Sequence, residues 1–209
     1  MYIDRRSLIL APGILLAASC SEAPKQEAKK KEKEPEKPPE PVTGRYAFYQ
    51  MFAAARTWAT DLQPIQVSSI ALKEVPSGEG KYGAWQCMLV SPSKGRLKTY
   101  SYSVIEAGGN LHKGVFALPD EGFSGRRGQA KPFLVAALKI DTDEAWKTAA
   151  GKSADYMKKN PDMPISFLLE LTPRFPNPAW RVIWGESVSQ SSYSIFVDAT
   201  TGQYLVTAR

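Results

Sequence analysis

The sequence predicts an α+β fold in two successive units, each a single helix packed across a curved antiparallel sheet. Three observations lead there. A stretch of one pattern occurs twice, at residues 83–111 and 178–205. An apolar stripe of helical period precedes each copy. After each stripe the apolar period changes to two, the period of a half-buried strand.

The two copies read "GAWQCMLVSPSKGRLKTYSYSVIEAGGNL" and "PAWRVIWGESVSQSSYSIFVDATTGQYL". Both open on Ala-Trp, run through an alternating apolar stretch and a polar turn to Tyr-Ser, and reach an acid-Ala pair before a glycine turn. Internal self-similarity at this spacing favours two units over one continuous fold.

The first unit opens with Phe48, Met51, Phe52, Ala55, Ala59 and Leu62 at three- and four-residue intervals, a helical stripe that Pro64 is expected to stop. The second opens at Asp141 and Glu144, the N-cap and N3 residues of a capping box. Trp146, Ala149, Ala150, Ser153 and Met157 then form the stripe, and Asn160-Pro161 ends it.

Strands follow. Ile165, Phe167, Leu169 and Leu171 share one face, as do Trp180, Val182 and Trp184, and Trp85, Cys87 and Leu89. Joined by turns rich in Gly and Pro, they read as antiparallel meanders. One face of each sheet needs a cover, and the helix of the same unit supplies it, so Trp85 and Trp180 should lie beneath their helices. In "IFVDATTGQYLV" the residues flanking Thr200-Thr201-Gly202 alternate, as in a hairpin. Asp198 can accept from backbone donors across the bend, and Gly202 takes a positive φ without steric cost. Asp198 is therefore read as a turn residue.

Residues 1–19 pair a short charged segment (Asp4, Arg5, Arg6) with an apolar stretch at 8–18, too short for the roughly 20 residues of a membrane span. They are expected to be a signal peptide. Ala17-Ala18-Ser19-Cys20 resembles the lipobox of bacterial lipoproteins, which implies that Cys20 carries the lipid. Ser21, rather than Asp, after that cysteine implies outer-membrane sorting in a diderm source. The Arg5-Arg6 pair faintly resembles a twin-arginine signal; ordinary secretory export with incidental arginines is the reading adopted. Residues 20–43 alternate Lys, Glu and Pro with little to bury, the composition of a disordered tether. About 23 such residues hold a domain about 25–30 Å from the lipid. Residues 44–118 and 133–209 are the two expected units, and 119–132 is the connector.

Residues 44–209 hold 19 basic and 14 acidic residues, a net +5 that suits an anionic surface. No basic cluster alternates with aromatics, so nucleic acid is not the expected partner.

"ALKIDTDEAWKTAA", "PAWRVIW" and "SIFVDATTGQYL", in that order over residues 137–206, resemble a PepSY domain: an opening helix, a tryptophan-bearing strand and a closing hairpin of the form Val-Asp-Ala-x-Thr-Gly. The first unit resembles it less, because "IEAGGNL" lacks the threonine. The resemblance implies a cystatin-like helix-on-sheet fold outside the cytoplasm and no catalytic residues. PepSY domains occur in propeptides of secreted peptidases and in envelope proteins, and restraint of peptidases has been proposed for the family.

Catalytic chemistry finds few candidates. His112 is the one histidine, with no nucleophile motif around it, and Cys87 lies inside the apolar run "AWQCMLV". One His and one buried Cys do not make a zinc set. Asp141-Thr142-Asp143-Glu144 lacks the glycine and distal glutamate of a calcium loop. No cofactor, metal or catalytic residue is expected. "EGFSGRRGQAK" places Arg126-Arg127 among glycines, able to meet a partner's carboxylates, although a plain connector explains the same composition. The expected function is non-catalytic: a lipoprotein held to the membrane by its N-terminal lipid that binds an extracytoplasmic protein or peptide, such as a peptidase it restrains. Arg126, Arg127, Gln203 and Tyr204 are the candidate contacts, on exposed loops and a sheet edge. The alternative is a small ligand or lipid in an apolar pocket between helix and sheet.

Overall fold

The computed structural model describes residues 38–109, 111–125 and 130–209. Cys20, expected from the sequence to carry a lipid, and the arginines Arg126 and Arg127 lie outside them. The described residues contain two α-helices, α1 (Gly44–Ala55) and α2 (Thr142–Lys159). A two-residue strand β1 (Val42–Thr43) precedes α1 and pairs with β3 (Lys81–Tyr82). Between the helices run β2 (Gln63–Ile70), β4 (Ala84–Ser91), β5 (Arg96–Ser103), β6 (Gly114–Ala117) and β7 (Glu121–Gly122). After α2 come β8 (Ile165–Glu170), β9 (Ala179–Trp184), β10 (Tyr193–Asp198) and β11 (Tyr204–Ala208).

Strands from both sides of the connector join one antiparallel sheet, in the order β11-β10-β9-β8-β2-β4-β5-β6, with β7 on the far part of β5. The join is β2 against β8, with Gln66 opposite Glu170 and Ser68 opposite Leu168. Two side-chain bonds reinforce it: Gln66 Nε2 donates to Glu170 Oε1 (2.6 Å) and the Phe167 amide to Ser69 Oγ (2.9 Å).

Helix α1 packs on β4 and β5, and α2 on β9 and β10. The period-two residues expected inside, Trp85, Cys87, Leu89, Phe167, Leu169, Trp180, Val182 and Trp184, are buried in one core with both helices. Trp85 and Trp180 meet edge to face at 6.4 Å, as aromatic quadrupoles prefer. Each indole also keeps its donor satisfied. Trp85 Nε1 donates to the Val42 carbonyl (3.0 Å) and Trp180 Nε1 to the Ile140 carbonyl (2.9 Å), in each case two residues before a helix starts.

The expected capping box at Asp141 and Glu144 is present on α2. The same carboxylate also serves α1. Asp141 Oδ1 accepts from the amides of Thr142 (2.7 Å) and Arg45 (2.9 Å), and Oδ2 accepts from Thr43 Oγ1 (2.7 Å). Thr142 Oγ1 accepts from the Gly44 amide (2.8 Å) and donates to the Gly80 carbonyl (2.6 Å). Gly80 sits at φ +82°, and a β-carbon there would lie 2.3 Å from the Thr142 carbonyl oxygen, so the approach requires glycine.

Two expectations are corrected: the sheet expected in each unit is one continuous sheet through the β2–β8 pairing, and the first helix is shorter than its stripe. Helix α1 does not run to Pro64 but ends at Ala55, where the Trp58 amide turns back to the Ala55 carbonyl (2.8 Å). Tertiary bonds override the stripe: Trp58 Nε1 donates to Asp120 Oδ2, and Asp61 holds Ser91 Oγ and the Ser93 amide. Ala59 and Leu62 are still buried, but from a loop. Pro64 lies in β2, where the register against β4 shifts around Ile65.

On the sheet face away from the helices, Ile65, Val90 and Leu97 form a small cluster that Phe123 and Ala130 of the connector help cover. The connector is fastened at both ends, by β7 on β5 and by the Lys131 amide on the Leu171 carbonyl (2.8 Å).

Replacing Asp141 with alanine removes caps from two helices at once. The expected loss is about 2–4 kcal/mol, against about 1 kcal/mol or less for Glu144→Ala, which touches only the α2 box. Urea melts of the two variants beside the parent measure this, and equal losses would mean that the bonds to Thr43 and Arg45 contribute nothing.

Candidate functional site

Titratable and nucleophilic side chains lie apart among the described residues. Cys87 is buried, and burial pushes its thiol pKa far above the ordinary range, which keeps it protonated and unreactive. His112 is exposed just before β6, where its Nδ1 meets Glu106 Oε1 (2.5 Å) and its ring lies 4.6 Å from Phe116. The Lys113 amide, with His112 second, holds the Glu106 carboxyl below its usual range. Among the described residues no three His, Cys, Asp or Glu side chains converge to hold a metal, and no helix is long and apolar enough to cross a membrane.

The hairpin from β10 to β11 is a built turn. Asp198 is buried; its Oδ1 accepts from the amides of Thr200 (2.8 Å) and Thr201 (2.9 Å), and its Oδ2 from Asn177 Nδ2 (3.0 Å). Gly202 takes φ +76° and donates its amide to the Asp198 carbonyl (2.8 Å). The turn is docked as well: Thr148 Oγ1 of α2 donates to the Gly202 carbonyl and Thr200 Oγ1 to the Ala137 carbonyl. Desolvation raises the Asp198 pKa, but the bonds from Asn177, Thr200 and Thr201 outweigh it and leave the carboxyl below its ordinary value.

That turn aims β11, which ends the sheet: no described strand pairs with its outer side. The Asp198 amide donates to the Gln203 carbonyl (2.9 Å), so Phe196 and Ser194, two and four residues back, point their amides the same way. Their partners Val206 and Ala208 therefore bond inward, and Thr207, opposite Ile195, turns its amide outward. Edge strands are commonly blunted by lysine or proline. "YLVTA" has neither, and its one irregularity is the register shift opposite Phe196 and Val197.

Gln203 and Tyr204, expected at a contact surface, are both exposed at the start of this edge. Tyr204 is held in place, its hydroxyl 2.9 Å from Thr207 Oγ1 and its ring 5.4 Å from the Lys152 ammonium of α2. Beside the strand a groove of about 710 Å³ runs between α2 and the sheet, lined by Lys152, Asp155, Tyr156, Lys159, Tyr193 and Arg209. Tyr156 stacks flat on Tyr193 at 3.9 Å and floors it. Three cationic side chains against one acid make this flank positive. The sequence hides it, because Lys152 and Lys159 read as an ordinary solvated helix face, and only the fold brings Arg209 to them.

A second concavity, of about 610 Å³, lies where α2 ends over the sheet and is lined by Trp146, Ala150, Met157, Met163, Ile165 and Trp184. Its wall is mostly apolar, with Trp146 and Trp184 6.1 Å apart.

No family model, curated protein or solved structure matches the chain.

The Asp198 bonds carry a pH consequence. A carboxyl depressed on folding contributes stability that is present above its unfolded pKa, about 3.9, and is lost as pH falls through the folded value. Asp198→Asn should be less stable than the parent at pH 7, and the gap should narrow as the pH drops below about 4. Chemical melts of both proteins across pH 2.5–7 test this; a constant gap would assign the cost to geometry rather than charge.

Proposed function

We propose that this chain is a non-catalytic binding protein that takes an extended polypeptide as an added strand on β11. The carrying observation is the outer edge of β11, which no described strand pairs, with the Thr207 amide turned outward and a cationic groove alongside. Main-chain bonds to the edge supply affinity, and alternate side chains of the guest meet the groove and supply selectivity. A guest with acidic side chains at alternate positions suits Lys152, Lys159 and Arg209. Gln203 and Tyr204 fix where it starts.

The expectations from sequence fit this reading as proposals: a lipid on Cys20, a tether ahead of residue 44, a location outside the cytoplasm, and a peptidase as the class of partner. Arg126 and Arg127 stay candidate contacts on sequence grounds. We further propose that residues 44–118 and 133–209 are tandem PepSY-like units of cystatin-like form. The succession of a helix and four main strands on each side of the connector supports this, as do the matching indole bonds of Trp85 and Trp180. The sheet order, which reads alike outward from the Ser68–Leu168 pair, points the same way.

Selection of a random peptide library on the full chain tests the edge. Selected peptides should be extended, acidic at alternate positions, and should slow hydrogen exchange at the Thr207 amide. Thr207→Pro removes an outward amide without removing an inward bond and should weaken them about tenfold or more. Peptides that bind this variant as well as the parent would overturn the reading.

The Trp146–Trp184 concavity favours a second reading, an apolar small ligand. In that case an alkyl-chain probe should change tryptophan emission saturably, and Met157→Glu should abolish the change. No change in the parent excludes it.

A further inference from the structure

The sheet face away from the helices holds a separate groove of about 550 Å³ between the connector and the loop that follows β8. Arg181 of β9, Phe196 of β10, Leu168 and Glu170 of β8, and Arg174 and Phe175 of the loop line it. Both arginines gather on one ring. The guanidinium carbons of Arg181 and Arg174 lie 5.2 and 5.4 Å from the Phe196 centroid, and Phe175, 5.3 Å from Phe196, also lies under Arg174. Among the described residues neither arginine has a carboxylate within ion-pair distance. Glu170 instead accepts from Gln66 through Oε1.

Arg181 is oriented and left half used. Its Nε donates to Ser194 Oγ (2.9 Å), and no hydrogen bond runs from its two terminal nitrogens to a described residue. Those two nitrogens form the fork that grips a planar oxyanion. Partial burial costs the cation hydration and holds its pKa below the ordinary arginine value; Arg174 adds like-charge repulsion, while Glu170 opposes both. An anion between the guanidiniums relieves the repulsion and restores the lost partners.

We propose that this groove binds a carboxylate carried on an apolar body, as at the C-terminal residue of a peptide, with the carboxylate on Arg181 and Arg174 and the apolar body on Phe196, Phe175 and Leu168. Among the described residues two guanidiniums and one glutamate line the groove, a sum of +1 that matches a monoanion and disfavours a phosphate dianion. Glu170 Oε2, which no described residue bonds, accepts an N–H beside the carboxylate, as a peptide's last amide provides. This site is independent of β11 and lies on the opposite side of the sheet from α2.

The test uses the ¹⁵N-labelled full chain titrated at pH 7 with N-acetylphenylalanine, its carboxamide and phenyl phosphate. N-acetylphenylalanine should shift the resonances of Leu168, Arg181 and Phe196 saturably, and the carboxamide should bind about tenfold or more weakly. Arg174→Gln, at an exposed position, should cost about fivefold with the spectrum of the core unchanged, and Arg181→Gln should cost more. Thr207→Pro should leave this binding intact, which separates the groove from the edge strand. Equal binding of acid and carboxamide, no saturation, tighter binding of phenyl phosphate, or shifts centred on Lys152 and Arg209 would each overturn the proposal. Should Arg181→Gln fail to fold, the Arg174→Gln comparison decides alone.

Discussion

Two helices begin on one carboxylate. The first turn of a helix leaves amides without partners and carries the positive end of the helix dipole. Placing two such ends side by side costs hydrogen bonds and adds repulsion. Asp141 answers both by accepting from the Thr142 and Arg45 amides at once, while Thr142 takes the Gly44 amide and ties the pair to Gly80. Beneath it, the carbonyls of Val42 and Ile140, just ahead of the two helices, receive the indole donors of Trp85 and Trp180. Helix starts, sheet and aromatic core are thus bound to one another within a few residues of Asp141.

This constraint decides where binding surfaces can be. With both helices gathered on one face, that face is committed to the core, and the tryptophans there are mostly spoken for. What is left is the rim and the reverse. The rim offers β11 and its positive flank; the reverse is covered by the connector at one end and stays open where Arg174 and Arg181 share Phe196. The two proposals draw on different physics, main-chain pairing in one case and guanidinium–carboxylate pairing in the other.

Local order is what the sequence carried well. The box at Asp141 and Glu144, the stop at Asn160, the alternation through Trp180, Val182 and Trp184, and the turn built on Asp198 and Gly202 are each set by neighbours within a few residues. Distant partners were illegible. Thr43 has the type of an N-cap residue yet makes no cap bond and donates to Asp141, 98 positions on. Pro64 reads as a helix stop because nothing nearby shows that Trp58 and Asp61 are held by Asp120 and Ser91. Arg174 and Arg181 are unremarkable arginines until a turn and a strand pairing bring both to Phe196. The alternation within each stretch could also not show that β2 would find β8, since a strand's period describes its faces and not its neighbour.

The junction of β2 with β8 has a consequence for how the chain comes into being. Val67 pairs with Leu169, and α1 receives its cap from Asp141, so the earlier half has no finished middle strand and no finished first helix until the later half exists. A chain made from its N-terminus waits through about a hundred residues of synthesis with one β2 edge bare. At a rate of about 5–20 residues per second that is about 5–20 seconds of exposed, strand-forming surface. Pairings this distant in sequence also close slowly once both partners are present. The closing of the sheet's centre should therefore be the last event of folding, and the emerging first half is the species that most needs protection from its own copies.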